Sequence, residues 1–228
     1  MSLFAIADLH LPLGVDKPMD IFKGWDNYVE RIENNWRCTV TEKDSVVVAG
    51  DISWAMNLEQ AKADFLFLNA LPGKKILIKG NHDYWWTTRR KMEGYFSKCG
   101  FDTLSILHNN AEIVEDLAVC GTRGWFFDAE QEDDNKVLLR EVGRLKRSIE
   151  AAEKTGKQPV VFLHYPPFFE NSQCDEIMSV LREHCIRQCY YGHIHGKSAR
   201  RIDERTIDGI KMKLISCDAV DFRPVLVS

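Results

Sequence analysis

Short unbroken apolar runs alternate along the chain with longer stretches whose apolar residues recur every three or four positions. Leu3 to Ala7, Val46 to Ala49, Ile76 to Ile78, Val160 to Leu163 and Cys189 to Tyr191 are of strand length, and most are rich in β-branched residues. Such runs predict strands buried on both faces. Between them, Trp25, Val29, Ile32 and Trp36 share one helical face. Leu58, Ala61, Phe65 and Leu68 share another, with Asn57 as the expected N-cap and Leu71-Pro72-Gly73 as the stop. Leu138, Val142, Leu145, Ile149 and Ala152 form the longest stripe. It is preceded by Glu130, Glu132, Asp133 and Asp134 and followed by Lys154 and Gly156, a charge order that suits the helix dipole. A further helix is expected from about Ser172 to Cys185. Residues 101–121 predict short extended segments turning at Asn109-Asn110. Arg205 to Ile207, Asp208-Gly209 and Ile210 to Ile215 predict a hairpin. The pattern predicts one domain over residues 1–228, of class α/β (α+β), with two sheets and helices outside them.

Composition narrows the class without changing that picture. The chain has 228 residues, 45% hydrophobic and 28% charged, with 14 Gly and 7 Pro. This is ordinary globular usage, neither disordered nor collagen-like. No apolar run approaches the roughly 20 residues that span a bilayer. The N-terminus has no basic segment ahead of its short apolar run, so no signal peptide is expected. Net charge is −4, which offers no bulk attraction for a nucleic acid polymer. The seven cysteines are odd in number and scattered without a CxxC, so reduced thiols and a cytoplasmic address are expected. Cys185 and Cys189 read as structural.

The chemistry lies at the strand ends. The first run is followed by Asp8-Leu9-His10, the second by Gly50-Asp51, and the third by Lys79-Gly80-Asn81-His82-Asp83. The fourth is followed by His164 and the fifth by Gly192-His193-Ile194-His195-Gly196. Ligands of open α/β sheets bind at that edge. In extended chain, Asp8 and His10, like His193 and His195, point the same way. Five of the seven histidines lie in these motifs, whereas His108 and His184 read as structural. Asp8, His10, Asp51, Asn81, His164, His193 and His195 make seven nitrogen and oxygen ligands, too many for one tetrahedral zinc and suited to two ions sharing a carboxylate. The donor set favours Mn, Fe or Zn.

In that order the motifs D-x-H, G-D, G-N-H-D, a lone His and G-H-x-H resemble those of the calcineurin-like metallophosphoesterase superfamily. The phrases "IADLHL", "AGDISWA", "KGNHDYWW" and "YGHIHG" resemble a bacterial branch of predicted phosphohydrolases. The resemblance runs from Asp8 to His195. It implies a four-layer αββα sandwich of two mixed sheets flanked by helices. It implies that Asp8, His10 and His195 hold one ion, that Asn81, His164 and His193 hold the other, and that Asp51 bridges them. It also implies that His82 acts at the leaving oxygen rather than as a ligand.

Two divalent ions against the charges of Asp8 and Asp51 leave the site positive by about two, which explains how an acidic protein would attract a phosphate. Solvent between two such ions is hydroxide near neutrality. His82 is the expected general acid, with Asp83 as its orienter. Trp54 and Trp86 are candidate stacking partners for a flat substrate group, and Arg123 is a candidate phosphate contact. The sequence thus predicts a hydrolase of a small phosphomonoester or phosphodiester, a nucleotide among the candidates. The alternatives are a metal hydrolase of another ester or amide, and a metal-free binding scaffold. The scaffold predicts eroded ligand positions, yet all seven are filled.

Overall fold

A computed structural model describes residues 1–125, 132–169, 172–199 and 204–227. The chain runs β1 (Leu3–Ile6), α1 (Tyr28–Thr39), β2 (Ser45–Ala49), α2 (Lys62–Ala70), β3 (Lys74–Ile78), α3 (Arg89–Cys99) and β4 (Leu104–Ile106). It continues through β5 (Glu112–Val114), β6 (Leu117–Thr122), α4 (Glu132–Glu153), β7 (Gln158–Leu163), β8 (Phe168–Phe169) and β9 (Ser172–Gln173). It closes with α5 (Asp175–Glu183), β10 (Gln188–Tyr191), α6 (Gly196–Ala199), β11 (Arg205–Ile207), β12 (Ile210–Leu214) and β13 (Val225–Leu226).

Two mixed sheets result, ordered β13-β1-β2-β3-β4 and β11-β12-β10-β7-β6-β5, with β8-β9 as a separate ribbon. β1 to β4 are mutually parallel, as are β6, β7, β10 and β12, while β13, β11 and β5 run antiparallel at the edges. The period-two alternation of side chains divides each strand between two layers. Ala5, Val47, Ala49, Ile76 and Ile78 of the first sheet meet Val119, Val160, Phe162 and Tyr190 of the second in one buried layer. Their neighbours Ile6, Val46, Val48 and Leu77 point outward, against Trp36, Phe65 and Phe96 of α1 to α3. On the far side Val161, Leu163 and Tyr191 meet Leu145 and Ile149 of α4 and Leu181 of α5. Two sheets face to face with helices outside them make an αββα sandwich. Among the described residues, no helix is long and apolar enough to cross a membrane.

Three local expectations shift. Asn109, in the left-handed region at φ 60°, does not close a hairpin: β4 lies in the first sheet and β5 in the second, so the chain crosses between sheets there. The hairpin is β5–β6, turning at Glu115 with φ 54°. Asn57 caps an isolated turn through Gln60 N (3.0 Å), and α2 starts only at Lys62. Ser172 and Gln173 belong to β9, so α5 begins at Asp175. The Asp208-Gly209 turn has positive φ at both residues (52° and 78°), the type I′ geometry that matches strand twist. Glu130 lies outside the described residues.

Candidate metal centre

The parallel strands put their carboxyl ends on one edge, and backbone hydrogen bonds continue beyond them. Asp8 N donates to Gly50 O (2.9 Å), His10 N to Asp51 O (2.9 Å) and Leu11 N to Ile52 O (3.0 Å), so the loops after β1 and β2 stay joined past their last paired residues. In the second sheet, His164 N donates to Arg123 O (3.1 Å) and Gly192 N to His164 O (3.1 Å). Asp8, His10, Asp51 and His193 all have φ between 46° and 73°. Non-glycine residues in the left-handed region carry strain, which concentrates at functional sites. The pairs Asp8/His10 and His193/His195 therefore do not share a direction through an extended pleat, as their spacing suggests. Each segment kinks at a candidate ligand position instead. Gly80 is required by contact: a Cβ there would lie 2.1 Å from Asp51 N and 2.2 Å from Asp51 Oδ1.

The side chains gather into two adjoining groups. Donor atoms of Asp8, His10 and His195 lie within 4.8 Å of one another, as do those of Asp51, His164 and His193. Asp51 lies between the groups: Oδ2 is 3.7 Å from His10 Nε2 and Oδ1 is 3.6 Å from His164 Nε2. Asn81 Oδ1 is 2.6 Å from His164 Nε2. All seven side chains singled out at the strand ends thus meet at one site.

Three observations test whether this donor set suits cations. Asp8 Oδ1 is buried without a hydrogen-bond partner. Burial, with the charge of Asp51, pushes the Asp8 carboxyl up to about 7 despite His195, and burial likewise raises Asp51. Burial pushes His164 down to about 3 and His193 to about 4, and holds His10 well below its ordinary value. The three imidazoles are thus neutral, the form in which histidine binds a metal, while the two raised carboxyls are short of positive charge that a cation would supply as it displaces their protons. His195 is different. Burial lowers it, but Asp8, Asp218 and Asp51 outweigh that and bring it to about 8.

A scan against family models matches residues 1–197 to the calcineurin-like phosphoesterases. The chain belongs to the calcineurin-like phosphoesterase family. No curated protein matches it significantly. Among solved structures it is similar to TT1561 of Thermus thermophilus, with a TM-score of 0.61 at 12% identity over 99% of this chain and 97% of that one. It is similar to the protein of unknown function AQ665 of Aquifex aeolicus (0.55, 17% identity, 99% and 95%). It is similar also to phosphopantetheinyl hydrolase of Mycobacterium tuberculosis (0.53, 14% identity, 99% and 95%). At such identities the likeness concerns the fold.

Family membership implies divalent metal ions, and the two groups are candidate sites for them. Around them the structure redistributes several roles. Asp83 does not orient His82. Its Oδ1 accepts from Ile52 N (2.9 Å), Ser53 N (3.3 Å) and Trp85 Nε1 (3.0 Å), and its Oδ2 from Gly80 N (2.7 Å). His82 Nδ1 is buried without a partner. Burial lowers the His82 pKa and Asp51, 4.0 Å from Nε2, only partly offsets it. Trp54 stacks on His10 (4.6 Å, 23°) and meets His82 at 4.6 Å. Among the described residues, Trp86 makes its ring contact with Trp85 and none with a candidate ligand. It lines a groove of 490 Å³ with Met56, Tyr84 and Trp85. Arg123 lies over Trp125 (4.8 Å) and 3.6 Å from Glu141. His184 pairs with Glu153 at 2.8 Å, away from the site.

Three residues escaped the sequence reading. Asp218 accepts from Gly196 N (2.8 Å) and lies 2.8 Å from His195 Nδ1, leaving Nε2 toward Asp8. Trp25, a member of the expected helical stripe, sets its ring edge against His10 (5.9 Å) and His195 (5.5 Å). Lys17 places its Nζ 3.5 Å from the Trp54 ring centroid. A carboxylate behind a ligating histidine fixes its tautomer and raises its basicity. Asp218→Ala is therefore expected to weaken metal affinity by about 10–100-fold, read by competition with a fluorescent chelator. Unchanged affinity would remove Asp218 from the site.

Proposed function

We propose that the chain is a phosphoesterase that works with two metal ions and hydrolyses a small phosphomonoester or phosphodiester. The observation that carries this reading is the pair of adjoining ligand groups with Asp51 between them. Asp8, His10 and His195 would hold one ion, Asn81, His164 and His193 the other, and Asp51 both. The donors suit Mn, Fe or Zn. When bound, such a pair supplies positive charge for the phosphoryl oxygens and an activated water.

The chain's own residues do the rest. His82, with its side chain about one-third exposed, faces the space beside Asp51 and can donate a proton or hydrogen bond to the departing oxygen. Trp54 fixes it from one side and shields the reacting centre from bulk water. Lys17, above Trp54, adds positive charge at the rim where an anionic substrate approaches. Trp86 would contact a leaving group long enough to reach the neighbouring groove.

The test is a panel of chromogenic phosphomonoesters, phosphodiesters, carboxylate esters and peptides, offered to protein loaded with Mn, Fe or Zn. Phosphoester turnover is expected, and His82→Ala is expected to lower kcat about 100-fold with metal content retained. Hydrolysis confined to the carboxylate esters or peptides would replace this reading with a non-phosphate hydrolase. Full activity in His82→Ala would remove its role.

A further inference from the structure

A second polar cluster lies beside the His164 and His193 group. Lys79 follows β3, two residues before Asn81, and Arg123 follows β6, its carbonyl accepting from His164 N and Tyr165 N (3.1 and 2.8 Å). With His108, Thr122, Glu141 and Arg144 they line a cleft of about 10 Å³, room for one water or one anionic oxygen.

The charges in this cluster do not balance. Glu141 is fully buried and already satisfied, by Thr122 Oγ1 at 2.6 Å and by Arg144 at 2.5 Å. One cation suffices for one buried carboxylate. Arg123 is only 3.6 Å from the same oxygen, and its Nε is buried without a hydrogen-bond partner. Lys79 is half-buried and makes no hydrogen bond or ion pair with the described residues. The acids that face it are Asp83 and Glu141, against Arg123 and Arg144. Asp83 is occupied by its four donors, and Glu141 by its own two.

The cluster connects to the proposed reaction site through a run of tilted and edge-on ring contacts. Tyr165 lies against His193 (4.5 Å), Trp125 against Tyr165 (5.8 Å), and the Arg123 guanidinium over Trp125 (4.8 Å). His82 and Trp54 stand on the other flank, against His10. A substrate whose phosphoryl group sits at the ligand groups thus meets His82 on one side and an unneutralised basic cleft on the other.

We propose that Lys79 and Arg123, the latter set beside the Glu141–Arg144 pair, form an anion subsite, and that the substrate is a phosphate ester carrying a second oxyanion group on the arm away from His82. The substrate assignment rests on the phosphoesterase reading, whereas the anion site itself does not. A charged hydrogen bond from the Arg123 fork to an oxyanion would fill the role its Nε now lacks.

Calorimetry with non-hydrolysable ligands separates the two claims. The probes are ω-carboxyalkylphosphonates with two to six methylene groups, each measured against the alkylphosphonate of the same length on the metal-loaded full chain. At one chain length the carboxylate is expected to tighten binding about 10-fold, and Lys79→Met and Arg123→Met are each expected to abolish that preference. Arg123→Lys should keep part of it. A preference absent at every length, or unchanged in both variants, overturns the subsite. If no phosphonate binds the loaded chain, the phosphoesterase reading fails instead. Inorganic phosphate titrated into chelator-treated protein then decides the cluster: binding lost in Lys79→Met supports it, and no binding in the wild type overturns it.

Discussion

Asp83→Ala is expected to destabilise the protein by about 4 kcal/mol, a loss typical of breaking a buried network. Asp83 is fully buried, and its two oxygens gather four donors from separate segments. Ile52 N and Ser53 N belong to the loop that follows Asp51, Gly80 N to the loop that carries Asn81 and His82, and Trp85 Nε1 to the aromatic layer beneath. Alanine leaves all four without an acceptor in a place water does not reach, and each orphaned donor costs about 1–3 kcal/mol before relaxation. Asp83→Asn should lose less. Its oxygen can replace Oδ1, but its amide then faces the Gly80 N–H, donor against donor. Urea unfolding of the metal-free chain reads both effects. An alanine variant within about 1 kcal/mol of the wild type would show that the loops hold without this carboxylate.

The same residue shows where the sequence was legible and where it was not. Five apolar runs became β1, β2, β3, β7 and β10 because buried parallel strands leave an unbroken hydrophobic signal. The polar residues after them were legible as one site because parallel strands end on a common edge. What Asp83 bonds to was not legible, since its neighbour in sequence is His82 while the Ile52 and Ser53 amides lie 31 and 30 residues back. Local adjacency pointed to the imidazole, and burial sent the side chain the other way, under the loops.

Asp218 and the sheet crossing at Asn109 escaped for related reasons. A hairpin and a crossing between sheets use the same turn residues, and only the pairing of β4 with β3 and β5 with β6 distinguishes them. Asp218 arrives at His195 because the chain recrosses to the first sheet after β12, where Cys217 N bonds Ala7 O (2.9 Å) before β13 joins β1. No periodicity announces that return. The kinks at Asp8, His10, Asp51 and His193 were equally hidden. Of the residues at those positions, aspartate is several-fold enriched among left-handed non-glycine residues, and histidine is too. Both were already spoken for as ligands.

Asp51→Asn should move stability and metal binding in opposite directions. The substitution is nearly isosteric, and the asparagine oxygen can still accept from His82 N, as Asp51 Oδ1 does at 2.7 Å. The loop should therefore keep its shape. What disappears is a buried negative charge beside Asp8. Burial raises the Asp51 pKa above its unfolded value, so at neutral pH the ionised carboxylate is less comfortable folded than unfolded. Removing it should raise the melting temperature of the chelator-treated protein. Metal binding should reverse the sign, because Asp51 is the carboxylate between the two candidate ligand groups and neutral oxygen attracts a divalent ion far less. Metal content measured by mass spectrometry should fall from two ions per chain to one or none, and phosphoester turnover by about 1,000-fold or more. In wild type, adding metal should raise the melting temperature steeply, as binding to the folded state alone requires, and in Asp51→Asn that shift should collapse. A variant that keeps two ions and wild-type turnover would remove Asp51 from its shared position. One that melts well below the wild type without metal would show that its carboxylate supports the fold rather than straining it.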